Sequence, residues 1–184
     1  MDTTDGTQGP DGWPGIIYGI LRSARVRQVG YVPDSGHTDL IRACNDDPDI
    51  AFISLTSEEE GIGLITGAWL GGQRGALLMQ SSGVGNCMNM FTLATNCRIP
   101  VLLLVTMRGE WGEFNPWQVP MGRAAGPAIE LSGSLVYRAE DAASVGPTVE
   151  AAASLAFNTS RLVAVMLSQR LIGAKNFDGV SNDS

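Results

Sequence analysis

The fold is most constrained by a regular alternation of short apolar runs with longer stretches of helical periodicity. Six runs have the length of β-strands, and several are apolar throughout, as in strands that are covered on both faces of a parallel sheet. The predicted strands are Gln28–Val32, Ile50–Leu55, Gly75–Gln80, Val101–Thr106, Ser134–Arg138 and Leu162–Leu167.

Helical patterns occupy most of the chain between these strands. The predicted helices are Trp13–Val26, Ser35–Cys44, Ser57–Leu70, Val84–Asn96 and Asp141–Phe157. Alternation of this kind predicts an α/β fold, a doubly wound and mainly parallel six-stranded sheet with helices on both faces. One long connection, Arg108–Gly126, has no such pattern, and we interpret it as a functional or interface-forming loop.

The length of 184 residues suits one ordinary domain. We expect this domain to extend from residue 13 to residue 174, with disordered tails at 1–12 and 175–184. The net charge of −7 argues against nucleic-acid binding, which needs clustered basic residues. No apolar run approaches the roughly 18 residues of a membrane span. Because only 17% of the residues are charged, we expect partner subunits to cover part of the surface.

The cysteines indicate the cellular compartment in which the protein is expected. Cys44, Cys87 and Cys97 have no pair at the spacing of a zinc site, and we interpret them as buried reduced thiols. Reduced thiols indicate the cytoplasm. The N-terminal segment has no basic region followed by an apolar run, so no signal peptide is predicted.

Ligands of open parallel sheets bind beyond the carboxyl ends of the strands. Four polar or glycine-rich segments follow predicted strands directly, and they are 33–37, 56–61, 81–86 and 107–110. Within them, His37 is either an acid–base group or a polar residue at a helix start. Arg108 is either a ligand for an anionic substrate or a solvated surface cation, and the same holds for Arg123.

Three consecutive acids begin the predicted helix after the second strand. Glu58, Glu59 and Glu60 complement the helix dipole there, and Ser57 with Glu60 has the spacing of a capping box. The residues that follow, 61–68, are small and apolar, so an acid leading into them could instead be poorly solvated, with a raised pKa. Both interpretations stay open on the residues alone.

The glycine-rich segment Ser82-Gly83-Val84-Gly85-Asn86 follows a strand and opens a helix. It lacks the third glycine of a dinucleotide fingerprint and the Gly-Lys-Ser/Thr of a phosphate loop. The glycines still permit a ligand to approach the backbone closely.

Taken in order, these segments resemble thiamine-diphosphate enzymes. Residues 58–72 resemble the Glu-bearing helix of that family, and residues 79–89 resemble the loop that follows it. Residues 32–35, 108–110 and 118–122 also match. The resemblance covers about residues 15–174 and is strongest to sulfopyruvate decarboxylase alpha subunits, with phosphonopyruvate decarboxylase nearby.

The resemblance implies that two domains share the cofactor, thiamine diphosphate. A pyrimidine-binding domain supplies a glutamate to N1′ of the aminopyrimidine ring, and a second domain holds the diphosphate through Mg²⁺ with a Gly-Asp-Gly motif. This sequence contains no Gly-Asp-Gly. We therefore expect a separate diphosphate-binding beta subunit, an α₂β₂ or larger heteromer, and no metal ligand on this chain.

The resemblance also implies residue roles. It assigns the key acid, both catalytic and cofactor-binding, to Glu59, with Glu60 as the second candidate because a triple allows a one-residue slip. Asp34 and His37 are the other catalytic candidates, and Ser35 and Arg108 are the substrate-binding candidates. The residues expected to line the pyrimidine pocket are Ser82, Gly83, Val84, Gly85 and Asn86.

The implied reaction is the decarboxylation of 3-sulfopyruvate to sulfoacetaldehyde and CO₂, carried out with the beta subunit. The sequence leaves open phosphonopyruvate or another 2-oxoacid as the substrate, as well as another thiamine-dependent activity. A non-catalytic partner subunit is the alternative from a different class, and an acid aimed at N1′ argues against it.

Overall fold

Residues 12–173 are described by a computed structural model, which contains one six-stranded sheet in which every strand pairing is parallel. The strand order is β2-β1-β3-β4-β6-β5. The strands are β1 Val26–Tyr31, β2 Ala51–Ser54, β3 Arg74–Gln80, β4 Val101–Thr106, β5 Leu135–Ala139 and β6 Leu162–Leu167. The predicted α/β fold with a six-stranded, parallel sheet is therefore confirmed.

Seven α-helices connect and flank the strands in the described part of the chain. They are α1 Trp13–Ser23, α2 Thr38–Asn45, α3 Glu58–Leu70, α4 Met88–Asn96, α5 Gln118–Leu131, α6 Ala142–Thr159 and α7 Gln169–Ile172. Two 3₁₀ segments, Ser35–His37 and Ser81–Cys87, lie just after β1 and β3.

The sheet separates two apolar cores, one on each face. Side chains of α1, α2 and α6 form the first core with one face of the strands, and side chains of α3, α4 and α5 form the second core with the other face. In β4, Leu102 and Leu104 belong to the first core, whereas Leu103 and Val105 belong to the second. Burial of both faces explains why this strand is apolar throughout.

Helix α5 is absent from the sequence prediction, which treats Arg108–Gly126 as loop. The irregular connection ends at Trp117, and α5 begins at Gln118. Its sequence, QVPMGRAAGPAIEL, holds two prolines and two glycines, which are poor helix formers. Packing overrides this low propensity because Ala125 and Ile129 are fully buried in the second core.

The helix predicted over Val84–Asn96 divides into the 3₁₀ segment Ser81–Cys87 and the shorter helix α4. All three cysteines are free, but only Cys44 and Cys87 are buried, so the expectation of three buried thiols is wrong for Cys97, which is exposed. Burial raises the pKa of the Cys44 thiol, and likewise that of Cys87, to about 12.

The predicted tails lie almost entirely outside the described residues, so they stay predictions, as does the domain range 13–174. Within residues 12–173, no helix combines the length and apolar character needed to cross a membrane.

Candidate active site

The three consecutive acids at the start of α3 have different surroundings. Glu58 is only 9% exposed, and its Oε2 accepts a hydrogen bond of 2.8 Å from Nδ2 of Asn86. Glu59 is partly exposed and accepts a hydrogen bond from the hydroxyl of Ser57. Glu60 is exposed, and its Oε2 accepts from the backbone N–H of Thr56 at 3.0 Å. Three neighbouring carboxylates are thus held in three separate ways.

The expected capping box does not form. Ser57 is the N-cap residue, but its hydroxyl donates to Glu59 instead of accepting from the helix backbone, and Glu60 bonds the amide one residue before the N-cap. The Ser57 hydrogen bond lowers the pKa of Glu59 below its ordinary value. In this chain alone Glu59 is therefore an ionised carboxylate, opposite to the raised pKa that the small residues of α3 suggest.

The glycine-rich segment lies directly against the buried member of the triple. A Cβ added at Gly83 would lie 2.3 Å from Oε1 of Glu58, so a larger residue at position 83 would displace this carboxylate. Gly83 and Val84 are buried, and Val84 belongs to the second core. Of the residues expected to line a ligand pocket, Ser82, Gly85 and Asn86 are on the surface.

Asp34 is the centre of a hydrogen-bonded cluster that joins the ends of β1, β3 and β4. Its carboxylate accepts from Oγ1 of Thr106 at 2.6 Å, from Nε2 of Gln80 at 2.8 Å and from the backbone N–H of Gly36 at 3.1 Å. Oε1 of Gln80 in turn accepts from Ser82 and from Gln118. This cluster fixes the carboxyl edge of the sheet.

Sequence reasoning missed Gln80, Thr106 and Gln118 as members of this cluster. The available signal was positional, since Gln80 and Thr106 are polar residues that end two strands directly after a run of apolar residues. Ser35, predicted to contact the substrate, is exposed beside Asp34.

His37 does not lie on the surface of the site. It is 1% exposed, and its Nε2 is 3.2 Å from the carbonyl oxygen of Leu104, to which it donates when Nε2 carries the proton of the neutral ring. Burial lowers the pKa of His37, which favours the neutral ring. A direct catalytic contact, as the sequence suggests for His37, would need the ring to leave the core.

Arg108 is also engaged within the chain. Its guanidinium forms a bidentate ion pair with Glu113, with Nε 2.7 Å from Oε2, and both side chains are largely buried. The Arg108 hydrogen bonds lower the pKa of Glu113 to about 2. The positive charge expected to hold a substrate anion is therefore already neutralised.

The connection between β4 and α5 is fixed by Gln169, the first residue of α7, which sequence reasoning also missed. Oε1 of Gln169 accepts from the backbone N–H groups of Glu110 and Trp111, and its Nε2 donates to Glu113. The connection nevertheless exposes large aromatic side chains: Trp111 is 50% exposed and Trp117 is 74% exposed. A fixed backbone with exposed tryptophans is typical of a protein-interaction surface.

No cluster of three or more His, Cys, Asp or Glu side chains suited to a metal ion occurs within residues 12–173. Two features of the edge do fit a flat aromatic ring. Glu59 is partly exposed, and only Met121 lies within 4 Å of a Cβ added at the exposed Gly85. A ring could therefore approach the backbone here.

Solved structures with this fold include thiamine-diphosphate enzymes. The 2-oxoglutarate:ferredoxin oxidoreductase of Magnetococcus marinus superposes with a TM-score of 0.69 at 14% identity, over 91% of this chain and 33% of that one. The thiamine diphosphate-dependent 4-hydroxybenzoylformate decarboxylase of Rhodococcus jostii RHA1 gives a TM-score of 0.69 at 16% identity. The match covers 90% of this chain and 32% of that one. The chain thus has the fold of a unit about one third the length of these enzymes.

Comparison with known sequences identifies the family to which the chain belongs. Over 152 residues the chain is 34% identical to sulfopyruvate decarboxylase subunit alpha of Methanococcus maripaludis, covering 82% of this chain and 91% of that one. Sulfopyruvate decarboxylase subunit alpha of Methanothermobacter thermautotrophicus is 32% identical, and the match covers 82% of this chain and 92% of that one. The chain belongs to the family of sulfopyruvate decarboxylase alpha subunits, so the predicted enzyme class, a carbon–carbon lyase, is confirmed at the level of the family.

A second group of relatives is larger than this chain. Phosphonopyruvate decarboxylase of Streptomyces viridochromogenes is 39% identical over 113 residues, which cover 60% of this chain and 28% of that one. No family model matches the chain.

Proposed function

We propose that this chain is the pyrimidine-binding alpha subunit of a thiamine-diphosphate-dependent decarboxylase that converts 3-sulfopyruvate to sulfoacetaldehyde and CO₂. The observation that carries the proposal is the acidic start of α3 at the carboxyl edge of a parallel sheet, where Glu59 is a partly exposed, ionised carboxylate and the adjacent Glu58 lies against the glycine-rich segment. The family membership supports it from an independent direction.

The diphosphate and its Mg²⁺ would be held by a separate beta subunit. The absence of a Gly-Asp-Gly motif from the sequence supports this, and so do the relatives, which are named as subunits. The exposed Trp111 and Trp117 at the same edge of the sheet offer contact area for such a partner.

When bound, thiamine diphosphate supplies the electron sink for decarboxylation. Glu59 would hold a proton between its carboxylate and N1′ of the pyrimidine ring. The hydrogen bond from Ser57 restrains the carboxylate in one orientation. A partner subunit covering Glu59 would remove water from it, and desolvation raises the pKa of a carboxyl group, which favours sharing of the proton.

Asp34 would present its carboxylate to the reacting part of the substrate, with the adjacent Ser35 hydroxyl as a further contact. Thr106 and Gln80 hold Asp34 in place. We assign His37 a supporting role because it is buried and neutral. We assign the anion of the substrate to a basic residue of the beta subunit, because Arg108 is already paired with Glu113.

Phosphonopyruvate is the second candidate substrate, supported by the identity to phosphonopyruvate decarboxylase. It differs from 3-sulfopyruvate only in the distal anion. Both candidates require a cation that pyruvate would not use.

The experiment combines the purified chain with a purified Gly-Asp-Gly-bearing beta subunit and measures CO₂ release from 3-sulfopyruvate, phosphonopyruvate and pyruvate. We expect turnover only in the mixture, with the highest kcat/KM for 3-sulfopyruvate. A higher kcat/KM for phosphonopyruvate would identify phosphonopyruvate as the substrate and would leave the proposed decarboxylation unchanged. Release of CO₂ from none of the three would overturn the proposal.

A further inference from the structure

We propose that the chain binds a small oxyanion of the phosphate or sulfate class in a cleft at the amino edge of the sheet, where β1 and β3 begin. The residues that line this arginine cleft are Ser23, Arg25, Arg27, Gly72, Gln73 and Arg74. The carboxyl edge lies at the other end of β3, about 20 Å away for a strand of 7 residues. The proposed decarboxylation does not involve this cleft, and neither depends on the other.

Three arginines from three parts of the chain meet in the arginine cleft. Arg25 follows α1, Arg27 lies in β1, and Arg74 is the first residue of β3. Among the residues that line the cleft within the described chain, none carries a carboxylate. Guanidinium groups are planar donors whose geometry suits the oxygens of phosphate and sulfate. Because the whole chain has a net charge of −7, this cleft is a positive region on an acidic molecule.

Two of these arginines keep donors free for a ligand. The guanidinium of Arg25 has no hydrogen bond or ion pair within residues 12–173. Nη1 of Arg27 donates to the carbonyl oxygen of Asp49 at 3.2 Å and is 3.4 Å from its Oδ2. That exposed carboxylate also pairs with Arg22, and exposed pairs contribute little. An anion entering the cleft therefore breaks no strong contact of Arg25 or Arg27.

Arg74 is held in a fixed orientation. Its Nη1 donates to the carbonyl oxygen of Ala24 at 2.9 Å, and its Cζ lies 4.9 Å from the centroid of the Phe157 ring. These contacts occupy one nitrogen of the guanidinium and leave the others for a ligand. A donor that is already held in place loses little conformational freedom when a ligand binds.

Two helix C-termini at the arginine cleft oppose an anion, but the arginines outweigh them. Helix α1 ends at Ser23 and α3 ends at Leu70, and each C-terminus is equivalent to about half a negative charge. Arg74 bonds the carbonyl of Ala24, the C-cap residue of α1. The three positive charges exceed the two helix termini and the Asp49 carboxylate together. The cleft therefore keeps a surplus of positive charge.

The neutral groups of the arginine cleft also suit a ligand that only accepts hydrogen bonds. Oε1 of Gln73 accepts from Gln28 at 2.7 Å, which leaves Nε2 of Gln73 to donate. The hydroxyl of Ser23 is a further donor. The cleft has a volume of about 440 Å³, within the range of small-molecule sites, so it admits a free oxyanion or an ester that carries one.

The test titrates inorganic phosphate and, separately, sulfate into the isotope-labelled full chain without a partner or cofactor. The anion replaces chloride at constant ionic strength, so that screening does not change. We expect saturable NMR shifts at the amides of residues 23–27 and 72–74, with a dissociation constant on the order of 1 mM or lower. Equal affinities would define a general oxyanion site, and a preference would identify the anion. Shifts that stay linear with concentration for both anions would overturn the proposal.

Arg25→Gly is the decisive variant. It removes the free guanidinium without straining the backbone, because residue 25 has a φ of 57° and glycine adopts this conformation readily. We expect the affinity to fall roughly 10-fold through the loss of one charge-assisted contact. Should this variant fail to fold, Arg27→Gln decides, with a loss in the same direction.

The matched control is Arg98→Gly. Arg98 has a similar left-handed backbone, with a φ of 52°, and lies at the same edge of the sheet, but it lines a different cleft. This variant should leave the affinity at residues 23–27 and 72–74 unchanged. Equal losses in Arg25→Gly and Arg98→Gly would show that the overall charge of the edge attracts the anion, and would overturn the arginine cleft as a site.

Discussion

At the scale of single residues, the start of α3 has three adjacent side chains of one type in three environments. Glu58 lies against the segment 81–87, Glu59 accepts a hydrogen bond from Ser57, and Glu60 bonds the backbone before the helix. The sequence predicts acids at this position but cannot give their directions, which depend on where the chain places Asn86 and Ser57. The same limit applies to His37, since its burial against the carbonyl of Leu104 depends on a strand 67 residues away.

Substitution of Glu59 by Gln tests its catalytic role. Glutamine keeps the size of the side chain but cannot exchange a proton with N1′, so the complex should assemble normally. Its C2 proton exchange and decarboxylation should fall by about 10²–10⁴-fold, the usual scale for a positioned acid–base group. If Glu60→Gln alone removed C2 exchange, the acid would be one residue further along the chain.

The buried pair of Glu113 and Arg108 makes stability depend on acidity. The pKa of Glu113 is lowered to about 2 from an ordinary 4.5, so the pair stabilises the fold above about pH 4.5 and this contribution is lost as the pH falls toward 2. By linkage it is worth about 3 kcal/mol. Urea unfolding at several pH values should show a smaller loss of stability between pH 5 and 3 in Glu113→Gln than in the wild type. Equal losses would show that the pair does not shift this pKa.

At the scale of elements, the sequence predicts the strands well because their signal is local. β4 and β6 agree with the prediction at both ends, and both are buried along their whole length. Helix α5 could not be predicted in the same way, since Pro120 and Pro127 suppress the local helical pattern and the helix depends on tertiary packing. The rule for parallel sheets places the ligand at the carboxyl edge, and this stays a prediction, whereas the hydrogen bonds around Asp34 are signalled only by the positions of Gln80 and Thr106 at the ends of two strands.

A glycine substitution tests the packing of α5. A Cβ at Gly122 would lie 2.0 Å from the carbonyl oxygen of Arg108, so Gly122→Ala should destabilise the chain by about 1–3 kcal/mol through overpacking. The matched control is Gly67→Ala in α3, where a Cβ meets nothing within 4 Å. That change should stabilise the chain by about 0.5–1 kcal/mol, because alanine favours a helix over glycine. Chemical denaturation of the full chain measures both, and a loss of equal size in the two variants would contradict the proposed contact.

At the scale of the whole molecule, the proposed function makes this chain one side of a shared site. Its carboxyl edge presents Glu59, Gly85 and the exposed Trp111 and Trp117, while the sequence lacks the diphosphate motif of the family it resembles. The low fraction of charged residues agrees with a surface that is partly covered in an assembly. A site divided between two chains makes cofactor binding depend on both.

The most direct test of this division is a calorimetric titration of thiamine diphosphate and Mg²⁺ into the chain alone, into the beta subunit alone and into their equimolar mixture. We expect negligible binding to the chain alone and tight binding to the mixture, at one cofactor for each pair of alpha and beta chains. Binding to the chain alone with the affinity of the mixture would contradict a shared site.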